Sequence, residues 1–336
     1  MVSLCYTYIL SKMITRIIKA RPDPHIAIVS YMAIAKNFFK AIFTYFCYNE
    51  AMTKLAIMSD LHIDLNHFGT LEIETLKQVL HQQRIDHLHL AGDISNHFYD
   101  VTLPFIEELE KDVKVTYNLG NHDMLDLDEE AIQASDFQVH QIGSAFLLAF
   151  HAWYDYSFSN QKRTKIDSLK KTFWFDRRLQ RLKDDLTITQ ESLIKLNQIL
   201  YSLPSQRLIV AMHFVPHQEF LMTHPRFAPF NAFLGSQKFH PLFVQHQIKD
   251  VTFGHAHRSF GDVKLDGVVY HSRPLGYIRE WDLTIDFVNQ HPQYNPSGSW
   301  NLSKRYNAVK HLSDYQTYKR DHLAKEFSHS MTIFDC

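Results

Sequence analysis

From Thr53 onward the chain alternates between two hydrophobic rhythms. Short β-type runs at residues 54–59, 86–91 and 113–118 are separated by stretches of helical period. Leu71 or Ile73, Leu76 and Leu80 share one helical face, and Pro104 suits the first turn of a second helix over 104–111. This βαβ spacing predicts three strands paired in parallel. Runs at 137–142 and 145–152, split by Gly143-Ser144, predict an antiparallel hairpin. The β pattern then stops, and apolar residues at helical spacing over 166–183 and 189–203 predict a helical insert at about 157–203. A strand at 207–212 precedes an irregular, Phe- and Pro-rich loop at 217–241, and a further strand covers 250–253. Asp266-Gly267 inside 262–271 is a type I′ hairpin signal, 281–288 reads as a last strand, and the polar tail holds one helix at about 312–327.

Five of the predicted strands end in oxygen- or imidazole-bearing residues. These are Asp60-Leu61-His62, Gly92-Asp93, Gly120-Asn121-His122-Asp123, His213 and Gly254-His255-Ala256-His257. The carboxyl end of a strand is where open α/β folds collect ligand-binding residues. No thiolate occurs in the set, which suits Mn, Fe or Zn.

The ordered series resembles that of the calcineurin-like metallophosphoesterases over residues 53–287. The resemblance implies an α/β fold in which a two-sheet β-sandwich is flanked by helices, and a site for two divalent or trivalent metal ions. It assigns Asp60, His62 and His257 to one metal and Asn121, His213 and His255 to the other, with Asp93 bridging. Two metals sharing a carboxylate lower the pKa of a bridging water and clamp phosphoryl oxygens. His122 matches the family's leaving-group acid. Asp123 either orients His122 as the carboxylate of a His-Asp pair or serves as a helix N-cap. Asn96 stands where the family often has Asp.

The resemblance implies hydrolysis of a small phosphoester, and Gly-His-Ala-His is similar to the phosphodiesterase branch. A nucleotide or sugar-nucleotide pyrophosphatase, a phosphomonoesterase and a metal-binding scaffold without turnover stay open. Arg258, Arg273, Arg279 and His217 are candidate substrate contacts because guanidinium groups fork phosphates and the 217–241 loop follows His213. His151 and His271 are weaker candidates. Trp153-Tyr154-Asp155-Tyr156 either stacks on a substrate or packs in the core.

Composition adds limits. The 336 residues are those of an ordinary globular chain, organised as an extension at 1–51, a domain at 52–290 and a tail at 291–336. Cys5, Cys47 and Cys336 have no metal-type or disulfide spacing, so we expect a reducing, cytoplasmic setting. The first 51 residues carry Lys12, Arg16, Lys19, Arg21, Lys36 and Lys40 against Asp23 and Glu50. Their uncharged runs of about ten residues fall short of the roughly 18 needed to span a bilayer. We expect an extension from an upstream start codon, with a basic membrane-surface element as the alternative. Without it the body is mildly acidic, which disfavours nucleic acid as a partner.

Overall fold

The inner strands at 54–58, 145–150 and 208–212 bury both faces, which is why they read as apolar runs, while edge strands keep one face partly open. In the computed structural model, which describes residues 52–203 and 206–336, β1 (Lys54–Met58), β2 (His87–Ala91) and β3 (Lys114–Asn118) pair in parallel as expected. The hairpin β4 (Gln138–Ile142) and β5 (Ala145–Phe150) opens a second sheet with β6 (Leu208–Met212), β7 (Asp250–Thr252), β8 (Gly261–Leu265) and β9 (Val268–Ser272). Asp266 and Gly267, both at positive φ, form the tight turn between β8 and β9. β10 (Thr332–Asp335), which the sequence reading missed, adds antiparallel to β1 and completes the order β10-β1-β2-β3. The second sheet runs β4-β5-β6-β7-β9-β8, so both sheets are mixed.

Alternation along the strands builds the layers. Leu55 and Ile57 of β1, Leu147 and Ala149 of β5, and Ile209 and Ala211 of β6 fill one cluster between the sheets. The intervening Ala56 and Met58 face the helices of the first sheet, and Leu148, Phe150, Val210 and Met212 face those of the second. Helices α1 (Thr70–Gln83) and α2 (Leu103–Leu109) follow β1 and β2, and the short α3 (Glu129–Ala134) follows β3. The insert supplies α4 (Arg163–Phe173) and α5 (Asp185–Ser202), and α6 (Phe239–Gln245) precedes β7. Then come α7 (Asp282–Gln290), α8 (Leu302–Val309) and α9 (Ser313–His329). The architecture is α/β, two mixed sheets flanked by helices. No described helix is long and apolar enough to cross a membrane.

Two sequence expectations are corrected. Residues 281–288 form the helix α7, not a strand: Leu283, Phe287 and Val288 are buried as a helical face, and Glu326 of α9 accepts from the free N–H groups of Asp282 and Leu283. The helix expected over 166–183 ends at Phe173, because Trp174, Phe175 and Asp176 turn toward the strand ends. The expectations for residues 1–51, including Cys5 and Cys47, lie outside the described residues.

Candidate metal centre

The five strand-end motifs meet at one rim of the sandwich, three from the first sheet and two from the second. Asp60, His62, Asp93, His255 and His257 all hold positive φ, between 42° and 63°. Side chains other than Gly rarely adopt this region, and such strain persists where the surroundings over-determine it, often at functional sites. Gly120 and Gly254 permit the close approach of the carboxylates. A Cβ on Gly120 would stand 2.2 Å from Asp93 Oδ1, and one on Gly254 would stand 2.2 Å from Asp60 Oδ2.

The donor atoms fall into two groups that share Asp93. Asp60, His62, Asp93 and His257 each offer an atom to one, and Asp93, His213 and His255 to the other. His62 Nε2 lies 3.0 Å from His257 Nε2 and 3.8 Å from Asp93 Oδ2. His257 Nε2 lies 3.3 Å from Asp60 Oδ1, and His213 Nε2 lies 3.4 Å from Asp93 Oδ1. Both carboxylates are fixed by backbone donors: the His255 N–H bonds Asp60, and the His122 N–H bonds Asp93.

Outer partners set which nitrogen is free. His213 Nδ1 donates to the Ala91 carbonyl, leaving Nε2 without a hydrogen bond. His255 Nε2 donates to the Phe233 carbonyl, and His257 Nδ1 donates to Glu280 Oε2 at 3.0 Å. Asn121 Nδ2 donates to Asp176 Oδ1 at 2.7 Å, so its buried Oδ1 has no partner. Two buried orphan acceptors beside a shared carboxylate fit the donor set of a dinuclear metal site.

Electrostatics point the same way. Burial pushes the Asp60 carboxyl up, but the His257 imidazole outweighs it and holds the pKa down at about 2. Burial disfavours a charged His213, yet Asp93 and Asp60 lift it to about 9. Burial likewise opposes charge on His257, and Asp60 with Glu280 raises it to about 10. His255 instead falls to about 3 through burial and the neighbouring His213. The buried carboxylates thus draw positive charge into the cluster.

His122 sits beside the cluster, its Nε2 4.0 Å from Asp93 Oδ2. Its ring is held between others: edge-on to His62 at 4.7 Å, and stacked face-to-face on Phe175 at 3.7 Å. The expected pairing with Asp123 does not form. Neighbouring residues of a helical turn point apart, and the Asp123 carboxylate instead accepts from the N–H groups of Asp93, Ile94, Ser95 and Gly120. It ties the β2 and β3 loops together, and it is not an N-cap, because it lies inside a short 3-10 turn. Burial and the Asp93 charge push its pKa up, and the backbone donors oppose them. His122 Nδ1 bonds Asn96 Oδ1 at 2.9 Å, and Asn96 Nδ2 donates to Asp64 Oδ2 at 2.7 Å.

A cleft of about 310 Å³ opens on this centre, lined by Asp93, Asn121, His122, His255, His257 and Tyr277 together with apolar residues of the insert and the 217–241 loop. Of the four candidate substrate contacts, Arg258, Arg273 and His217 are absent from the cleft lining. Arg273 pairs with Asp262 at 2.6 Å, Arg258 lies over the Phe260 ring, and His217 packs on His240. Arg279 stands over Tyr277 at 3.9 Å, at the edge of the cleft. His151 faces Asp136, and His271 lies between Asp250 and Asp262. Trp153 and Tyr154 are fully buried core. Sequence reasoning missed Asp176, Glu280, Phe175 and Tyr277, none of which carries a local motif.

A family model, calcineurin-like phosphoesterase, matches residues 53–259. The chain therefore belongs to the calcineurin-like phosphoesterase family, whose members are metal-dependent phosphoester hydrolases working with two metal ions. Among solved structures it is similar to the phosphopantetheinyl hydrolase of Mycobacterium tuberculosis, with 20% identity and a TM-score of 0.55, covering 69% of this chain and 92% of that one. A dimetal phosphatase from Danio rerio aligns at 14% identity and a TM-score of 0.42, covering 66% and 87%. No curated protein matches the sequence.

Proposed function

We propose that the chain hydrolyses small phosphodiesters, with Asp60, His62 and His257 holding one metal ion, Asn121, His213 and His255 a second, and Asp93 both. The observation that carries this reading is the pair of donor groups meeting at Asp93. Mn, Fe or Zn bound there would supply an activated water and positive charge against the phosphoryl oxygens. The remaining work belongs to the chain. His122 donates through Nδ1 to Asn96, which leaves Nε2 facing the cluster; in the doubly protonated imidazolium that nitrogen carries the proton passed to the departing alkoxide, and the ring is left neutral with its hydrogen on Nδ1. Phe175 covers the imidazole face and keeps water from it. Asp176 and Glu280 aim Asn121 and His257.

Preference for a diester is supported by the cleft lining, which contains no Lys or Arg among the described residues. The lining itself offers a monoester dianion no cation, Arg279 and Arg178 standing only behind the rings of Tyr277 and Phe175, whereas a diester carries less charge and brings a second organic group to the apolar wall. The test is a parallel rate measurement on bis-(4-nitrophenyl) phosphate and 4-nitrophenyl phosphate with Mn, Fe or Zn. The reading expects metal-dependent diester cleavage that disappears in Asp93→Asn. Faster monoester cleavage would reverse the preference, and inertness toward both esters would sink the proposal.

A further inference from the structure

One wall of the cleft serves no metal and offers no hydrogen-bonding side chain. It is made by Phe173, Trp174 and Phe175, where the insert breaks after α4, and by Met222, Phe227 and Phe230 of the loop before α6. The rings are ordered against one another: Trp174 stacks on Phe230 at 5.9 Å, and Phe173 meets Phe230 edge-on at 6.4 Å. Trp174 Nε1 is turned out of service by its bond to Asp176 Oδ2 at 2.8 Å. Yet Phe173 is 66% exposed and Phe227 39% exposed. Large aromatic side chains left open beside a polar centre mark a binding surface more often than a packing remnant. Phe175, stacked on His122, joins this wall to the residue assigned the proton donation.

We propose that this wall is the leaving-group subsite and selects phosphoesters of apolar alcohols, alkyl or aryl, over those of sugars, nucleosides or glycerol. The inference rests on the hydrolase reading for the word leaving group, and on geometry for the subsite itself. His122 and Phe175 line the same cleft in stacking contact, so an alcohol that takes its proton from His122 is released beside Phe175, Trp174 and the rings beyond. A hydroxylated alcohol would lose water there and find no side-chain partner, since the wall's one polar side-chain hydrogen, on Trp174 Nε1, is already bonded to Asp176. An alkyl chain or an aryl ring loses only its contact with water and covers exposed rings. The insert therefore sets substrate choice, while the strand ends carry the chemistry.

The test separates binding from turnover. Alkylphosphonates from methyl to octyl, and phenylphosphonate, are titrated calorimetrically into the metal-loaded protein. A methyl-alkyl phosphodiester series of the same chain lengths is assayed for turnover. Affinity is expected to rise about fourfold per added methylene until the wall is covered. Phe173→Ala and Phe227→Ala, both at exposed rings whose loss leaves the core intact, are expected to cut that to less than about twofold per methylene. Chain-length-independent affinity, absence of phosphonate binding, or an unchanged slope in both variants would each overturn the subsite. A normal slope with no ester turned over under any metal would leave the subsite standing and reject the hydrolase reading.

Discussion

Two groups of histidines in this molecule show how surroundings decide what an imidazole does. His62, His213, His255 and His257 stand at strand ends with Asp60 and Asp93 among them. His87, His89 and His140 lie between the sheets, where His87 and His89 both bond Thr116 Oγ1 and His89 also bonds Asn118 Oδ1. Beside the carboxylates His213 and His257 rise to about 9 and about 10. Between the sheets, burial drops His87 to about 4 and His89 to about 3, with no carboxylate to oppose it. Not every histidine of the first group rises, since burial and neighbouring imidazoles lower His62 and His255; what sets that group apart is the pair of carboxylates it shares, which the second group lacks.

Removing the carboxylate should break the contrast most severely. Asp93→Asn is expected to lower bound metal below one ion per chain by elemental analysis and to cut kcat by about 10³-fold or more, since both donor groups lose their common member. His122→Ala should leave metal content unchanged while kcat falls by about 10²- to 10⁴-fold, the range for a general acid. Loss of metal in that variant would place His122 in the wrong role. Asp176→Ala frees the Asn121 amide and should weaken metal affinity by about 10- to 100-fold in a chelator competition, as for other partners that orient a ligand.

The smallest expected effect concerns the inner group. His89 binds its proton at about pH 3 when folded and at 6.5 when unfolded, so its contribution is full above 6.5 and is lost as pH falls toward 3. Between pH 7 and 5 this amounts to about 2 kcal/mol. Urea midpoints of the wild type and His89→Gln at the two pH values should show a smaller acid loss in the variant. An equal loss would mean that His89 does not carry the dependence.

The candidate ligand residues were legible because each follows its strand directly, so the strand pattern itself delivers them to one rim. What stayed hidden depends on tertiary partners. Asp176 acts on Asn121 from 55 positions away, and Glu280 on His257 from 23. α7 alternates apolar and polar residues as a strand would, and only Glu326 and the α9 packing settle it as a helix. The Asp123 pairing failed for a local reason, adjacency along the chain being a poor guide to side-chain direction in a helical turn. The role of Phe175 could not be read, since residues 166–183 looked like one unbroken helix, whereas the helix ends at Phe173.

The left-handed backbone at Asp60, His62, Asp93, His255 and His257 has a consequence for how the protein can change. Each such residue costs roughly 1–2 kcal/mol relative to a relaxed backbone. Substitution by Gly or Asn at the less buried of them, His257, would relax the chain while removing a donor. Screens that select only for heat resistance would then drift toward variants that fold better and bind no metal, and the five positions would be the first to erode.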